Sequence, residues 1–262
     1  MLNPAAMSPP QLLPAPVALF ISDIHLQADA PRTAQAFFDF LERHGRHVQQ
    51  LYLLGDLFEY WAGDDDVGSS FNTSVVTALR KLSNAGVEVF WMTGNRDFLI
   101  GAGFADAAGL TVLPDPSVVT IAGRSMVLTH GDAQCTDDTD YQTFRREVRS
   151  AKWQSDFQAT PLAQRLALIA KMREGSRAAQ RVKVEAIMDV NPEAIAALYA
   201  QSGTSLMIHG HTHRPAIHST VRDGTTYVRH VLTDWDCEKE TTRGGGLVID
   251  TDGTLRVLTL TS

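Results

Sequence analysis

The sequence predicts an α+β fold in which one large domain alternates strands and helices and is interrupted by a helical insertion. Three observations carry this. The chain has 262 residues, 44% of them hydrophobic, enough to bury one sizeable core. Short apolar runs alternate with segments of helical period, and run after run ends in a polar residue able to ligate a metal. Charge is also uneven. Between Arg145 and Glu185 there are ten basic and four acidic side chains, a local +6 in a chain of net −7, so the remainder carries −13.

Taken in order, residues 1–16 hold five prolines and no Lys or Arg, so they lack the charged start of a secretory signal and are expected to be a disordered extension. The domain is expected over 17–262. Val17 to Ser22 reads as a buried strand that delivers Asp23 and His25. Thr33 to His44 carries Ala34, Phe37, Phe38 and Leu41 at helical spacing, with the N-cap near Thr33. Leu51 to Leu54 is a second strand, delivering Asp56. Phe71 to Ala85 reads as a helix closed by Gly86, and Val87 to Thr93 as a strand delivering Asn95, Arg96 and Asp97. A short helix is expected near Phe104 to Ala108. Paired strands follow at Ser117 to Ala122 and Ser125 to Thr129, the second delivering His130.

The insertion is expected over about 132–201, with helices at Tyr141 to Trp153, Pro161 to Arg173 and Gly175 to Met188 and a last one starting at Pro192. Ser205 to Ile208 then returns as a strand and ends in His209, His211 and His213. In an extended segment these three would share one face, and neutral imidazole is the commonest metal ligand, although His213 could be a spectator. Thr225 to Leu232 and Gly246 to Leu260 close the chain as β-rich segments, with Asp252-Gly253 as a hairpin turn.

Composition excludes several classes. The acidic balance argues against nucleic acid as a partner. Cys135 and Cys237 are too few for a disulfide framework or a Cys-based zinc site. No apolar run is long enough to span a bilayer. The strand ends collect Asp23, His25, Asp56, Asn95, His130, His209 and His211, a nitrogen and oxygen donor set without thiolate that suits two ions of Mn, Fe or Zn. Asp56 is the natural bridge, because a carboxylate has two oxygens. For one Asp or His an ordinary strand-end turn would be the better reading; so many at successive strand ends make a site. Asp64-Asp65-Asp66 reads as a solvated acidic loop, with ordering of the loop beside the site as the alternative, and Cys135 as a packed thiol. Leu162, Leu166, Ile169 and Ala170 form one helical face, facing either the core or a lipid.

In this order, Asp-x-His, Gly-Asp, Gly-Asn, His and Gly-His-x-His resemble the calcineurin-like metallophosphoesterases. That resemblance implies a four-layer αββα sandwich with a two-metal site at the strand ends. The common pattern has His after Gly-Asn where this chain has Arg96, and Asp where it has Glu59. Both departures are shared by one branch. Ser22-Asp23-Ile24-His25-Leu26, Gly55-Asp56-Leu57-Phe58-Glu59, the Trp61 to Asp66 stretch, Gly94-Asn95-Arg96-Asp97-Phe98-Leu99, His130-Gly131-Asp132, Cys135 to Asp138, Ala186 to Asn191 and His209 to Pro215 resemble the UDP-2,3-diacylglucosamine pyrophosphohydrolases of lipid A biosynthesis.

The resemblance implies a cytoplasmic hydrolase, peripheral on the inner membrane, that uses two Mn2+ ions. Its partners would be the acylated UDP-glucosamine substrate and the membrane surface, with the chain acting as a monomer. Water would attack the α-phosphorus, releasing UMP and 2,3-diacylglucosamine 1-phosphate. By the same likeness Asp23, His25, Asp56 and His211 hold one ion, and Asp56, Asn95, His130 and His209 the other. Arg96 would meet phosphate, and Asp138, Tyr141, Ser176, Gln180 and Lys183 would join Asn95, Arg96 and His209 in contacting substrate. Gln180 stands where the branch often has Asn. A phosphodiesterase or phosphatase of the same fold, and a non-catalytic scaffold, are the rivals; the intact ligand blocks oppose the second.

Overall fold

Period-two alternation assigns each strand residue to a layer. In β1 (Pro16–Ile21), Leu19 and Ile21 point one way while Ala18 and Phe20 point the other. The same split divides Leu51 and Leu53 from Tyr52 and Leu54 in β2 (Gln50–Leu54), and Val89 and Trp91 from Met92 in β3 (Glu88–Met92). This computed structural model describes residues 14–182 and 189–261, leaving aside the side chains of 174–182. Residues 1–13 of the expected extension lie outside it. Pro16, assigned to that extension, already belongs to β1, and Ala15 N–H donates to Thr251 Oγ1.

The outward set of β1–β3 packs under α1 (Pro31–Arg43), α2 (Ser70–Asn84) and α3 (Ala102–Ala108), through Phe37, Phe40, Val75, Leu79 and Phe104. The inward set meets Met126 and Leu128 of β6 (Arg124–Thr129) and Leu206 and Ile208 of β7 (Leu206–His209). The opposite face of that second sheet, at Val127 and Met207, is covered by Leu198 and Tyr199 of α7 (Pro192–Ser202). These are the four layers αββα. Burial on both faces is why β1, β2 and β7 are mostly apolar runs rather than alternating ones.

The first sheet runs β11-β10-β1-β2-β3-β4, with β1 to β4 parallel; it adds β4 (Thr111–Leu113), β10 (Gly245–Asp250) and β11 (Leu255–Thr259). The second runs β5-β6-β7-β9-β8, with β6, β7 and β9 parallel; it adds β5 (Ser117–Ile121), β8 (Ala216–Arg222) and β9 (Thr225–Val231). The carboxyl ends of both parallel sets therefore open at one rim, the usual place for a site in such sheets.

Two edge strands escape the pattern. β8 is exposed along its whole length, so its sequence carries no burial signal, and β4 is three residues long. Between β6 and α7 stand α4 (Thr139–Val148), α5 (Ala151–Gln158) and α6 (Leu162–Val182). The helix expected over Tyr141 to Trp153 is two, because Ser150 caps α5 by accepting from Trp153 N–H. The helices expected on either side of Glu174 are one, and an internal glycine such as Gly175 costs a helix only about 1 kcal/mol. Residues 183–188 of the expected Gly175 to Met188 helix lie outside the described residues. α7, expected inside the insertion, is a layer of the sandwich, so the cap is α4 to α6.

Candidate metal centre

Five strand ends meet at the rim. Among the described residues seven non-glycine positions have positive φ, and five are Asp23, His25, Asp56, His211 and His213, with φ between 52° and 68°. Side chains seldom adopt that conformation, and where they do the surroundings impose it, most often at a functional site.

Asp23 is fully buried. Its carboxylate accepts from Ser22 Oγ at 2.6 Å and from His211 N–H at 2.9 and 3.1 Å. Gly210 makes this possible, since a Cβ there would sit 2.2 Å from Asp23 Oδ2. Asp56 Oδ1 accepts from Arg96 N–H at 2.8 Å, and a Cβ on Gly94 would lie 2.0 Å from that oxygen. His25 Nε2 lies 3.8 Å from Asp56 Oδ2 and 3.2 Å from His213 Nε2, which is itself 3.4 Å from Asp23 Oδ1. On the other side His130 donates from Nδ1 to the Leu54 carbonyl, so Nε2 faces inward, 3.7 Å from Asp56 Oδ1 and 3.0 Å from Asn95 Oδ1. His211 Nδ1 is 2.8 Å from the same amide oxygen.

Two pockets of donor atoms thus flank Asp56: Asp23, His25 and His213, then Asn95, His130 and His211. Ligand atoms of Asp23, His25 and His213 lie within 4.8 Å of one another, as do those of Asp23, Asp56 and His130. The turns after β7 arrange the histidine triplet differently from an extended segment. His213, held open as a spectator, joins Asp23 and His25. His211 joins Asn95 and His130, and His209 turns away: its Nδ1 donates to the Gly210 carbonyl and its Nε2 accepts from Arg229 at 2.8 Å. The expectation assumed an extended triplet, but β7 ends at His209 and the left-handed turns at His211 and His213 re-aim both rings.

Electrostatics agree with a cation site. Burial would lower the pKa of His130, but the charges of Asp56, Asp23 and Asp132 raise it to about 9, the same field that draws a cation. Burial works to raise the pKa of Asp23, yet its hydrogen bond to His213 and the charges of His130, His213 and His25 hold it well below the carboxylate range. Burial, then the His130 charge, push His211 down to about 4, leaving it neutral and fit to ligate. Burial and Arg229 take His209 down to about 3. Two buried carboxylates with neutral or inward-facing imidazoles and an amide oxygen, without thiol, fit hard to borderline divalent ions.

The centre opens into a cavity of about 580 Å³ roofed by the cap, with Arg96, Asp138 and Tyr141 among its lining together with Phe144, Trp153, Ile169 and Met172. Tyr141 stacks on His211 at 6.0 Å between ring centroids. Asp138 also caps α4 through Tyr141 N–H. Ser176 and Gln180 fall where side chains are not described, and Lys183 lies outside the described residues.

Sequence reasoning missed three acids that brace the centre. Asp97, fully buried, accepts from Leu57 and Gly94 N–H, and burial raises its pKa to about 6. Asp132 receives Tyr141 Oη at 2.6 Å, Arg145 Nε at 2.7 Å and Arg149 Nη2 at 3.2 Å. Glu59 lies 2.9 Å from His25 Nδ1. Their signal was present in Gly-Asn-Arg-Asp, His-Gly-Asp and Gly-Asp-Leu-Phe-Glu, but bracing leaves no spacing rule to read. At Asp64-Asp65-Asp66 the alternative reading, an ordered loop, fits the contacts: Asp64 accepts from Trp61 Nε1 and from Gly101 and Phe104 N–H, and Asp65 pairs with Arg165. Cys135 is buried with its pKa pushed by burial up to about 12, in keeping with a packed thiol.

Residues 17–215 match the family model for calcineurin-like phosphoesterase. The chain belongs to that family. Among curated relatives, this phosphoesterase is 50% identical over 218 residues to the UDP-2,3-diacylglucosamine hydrolase of Aromatoleum aromaticum, covering 83% of this chain and 89% of the relative. It is 47% identical over 217 residues to that of Cellvibrio japonicus, covering 83% and 90%, and 46% identical over 235 residues to that of Pseudomonas putida strain W619, covering 90% and 95%. Among the described residues of this phosphoesterase, no helix is long and apolar enough to cross a membrane.

Proposed function

We propose that this phosphoesterase hydrolyses the pyrophosphate bond of UDP-2,3-diacylglucosamine, with two Mn2+ ions in the centre described above. One observation carries the reading: a rim of buried ligands opens directly into a large cavity whose other walls are aromatic and aliphatic side chains of the cap. A nucleotide sugar with two acyl chains needs both halves, and the names of the relatives agree. Asp23, His25, Asp56 and His213 would hold one ion, and Asp56, Asn95, His130 and His211 the other. Bound divalent ions supply an acidified water and neutralise phosphoryl charge.

The remaining steps belong to the chain. The Arg96 guanidinium, beside Asn95 at the cavity wall, offers fixed donors to phosphoryl oxygens as negative charge builds on them. Asn95 and Tyr141 frame the approach to the phosphate, and Asp132 orients Tyr141 by accepting its hydroxyl proton. Phe144, Trp153, Ile169 and Met172 take the acyl chains and exclude water, at about 0.8 kcal/mol per buried methylene. Asp138, Ser176, Gln180 and Lys183 complete the proposed substrate contacts. Attack at the α-phosphorus releases UMP and 2,3-diacylglucosamine 1-phosphate, and the acyl chains bring the protein to the cytoplasmic face of the inner membrane as a monomer.

Hydrolysis in heavy-oxygen water, with mass spectrometry of both products, tests the reaction. Label in UMP is expected. Label in the sugar phosphate, or no turnover of the acylated substrate alongside turnover of simple phosphodiesters, overturns it.

A further inference from the structure

Glu59 stands between the cap and the centre, and its two oxygens serve different partners. Oε2 lies 2.9 Å from His25 Nδ1, a close ion-pair contact that is not aligned as a hydrogen bond, while Oε1 accepts from Arg173 Nη2 at 2.6 Å. Arg173 belongs to α6; its guanidinium also lies over the ring of Tyr60, 5.1 Å from the centroid. All three side chains of the chain Arg173, Glu59, His25 are less than 20% exposed, so solvent screens the contacts weakly. The opposite edge of the His25 ring, Nε2, faces Asp56 and His213.

A carboxylate on the outer nitrogen of a ligating imidazole fixes its tautomer and its aim, and losing one costs 10–100-fold in metal affinity. Here the carboxylate is itself held by an arginine from a different structural layer. We propose that Glu59 and Arg173 are positioning residues that couple ion occupancy at His25 to the seating of the cap. With α6 seated, Arg173 holds the Glu59 carboxylate against His25. With α6 lifted, Glu59 loses that restraint, the imidazole loses its aim, and the ion at His25 is bound more weakly. Linkage makes the effect reciprocal, so the ion favours the seated cap by the same factor. A substrate lying under α6 would then tighten the centre that acts on it. The inference rests on the two-ion reading above.

The test uses the full-length protein stripped of metal, with Mn2+ titrated by calorimetry and the free ion followed by electron paramagnetic resonance. The wild type should bind two ions. Glu59→Gln should weaken one site by about 10–100-fold. Arg173→Met, which removes no ligand, should weaken the same site by about fivefold. The double variant should be no weaker than Glu59→Gln alone, and Arg173→Lys should recover most of the loss. Hydrogen exchange supplies a second readout: Mn2+ should slow exchange in α6 of the wild type and not in Glu59→Gln, with circular dichroism confirming the fold. Wild-type affinity in Arg173→Met, additive losses in the double variant, or exchange in α6 that ignores Mn2+ overturns the coupling. Should the wild type bind fewer than two ions, the two-ion reading falls first and the coupling with it.

Discussion

The metal centre and the cap are built on opposite plans. At the centre, carboxylates are pinned by backbone N–H groups: Asp23 by His211, Asp56 by Arg96, Asp97 by Leu57 and Gly94. The cap is tied down by long side chains reaching across layers: Arg145 and Arg149 to Asp132, Arg165 to Asp65 and the Ala62 carbonyl, Arg173 to Glu59. Backbone donors cannot move without unfolding a strand end, whereas a guanidinium can release its partner while the helix beneath it stays folded. Rigid geometry suits the bond-breaking step, and a releasable roof suits entry of a two-chained substrate. The basic excess of the insertion therefore has an inward use: these four arginines face acids of the sandwich.

The contrast predicts that damage to the centre falls on kcat and damage to the cap on KM. Asp56→Ala should lower kcat by at least about a thousandfold, roughly 4 kcal/mol in the barrier, and leave fewer than two ions by elemental analysis; near-normal activity would break the comparison. A chelator should have the same effect, reversed by Mn2+. Next comes the histidine triplet. His213→Ala should remove one ion and cost roughly a hundredfold in kcat. His209→Ala should keep both ions and lose about 1–3 kcal/mol of stability from the unpaired Arg229 and packing. Equal metal loss in the two variants would return His209 to the ligand set.

Arg165→Ala should raise KM for the diacylated substrate about tenfold, some 1.4 kcal/mol, with hydrolysis of a small phosphodiester unchanged. A drop in both would make the cap part of the catalytic scaffold. The smallest effect concerns pH. His130 has its folded pKa raised to about 9, from an ordinary value near 6.5, so the metal-free protein gains its full stabilisation below about pH 6.5 and loses it as pH rises through about 9. Thermal melts of stripped protein should fall across that window. With Mn2+ bound, an ion competes with the proton for Nε2, and the fall should shrink.

Much of this molecule was legible in advance because strand-end motifs are local. Asp23, Asp56, Asn95 and His130 each follow an apolar run, so the strand and the polar residue at its end could be read from a few residues. β8 could not be read, since an edge strand exposed along its length has no periodicity to display. Nor could the boundary of the cap: α7 looks like its helical neighbours in sequence, and only the contact of Leu198 and Tyr199 with Val127 and Met207 assigns it to the sandwich.

By itself the sequence determined the runs of strand and helix and the polar residues at their ends, because apolar period and residue type are properties of short windows, while the order of the motifs carried the resemblance to the family and the layers it implies. Tertiary structure decided which histidines face the centre and which way the arginines of the cap point. The first depends on left-handed backbone at His211 and His213, beside the close approach of Gly210 to Asp23. The second depends on acids 100 residues away for Arg165 and 114 for Arg173, and pairing across that distance exists only after the layers have assembled.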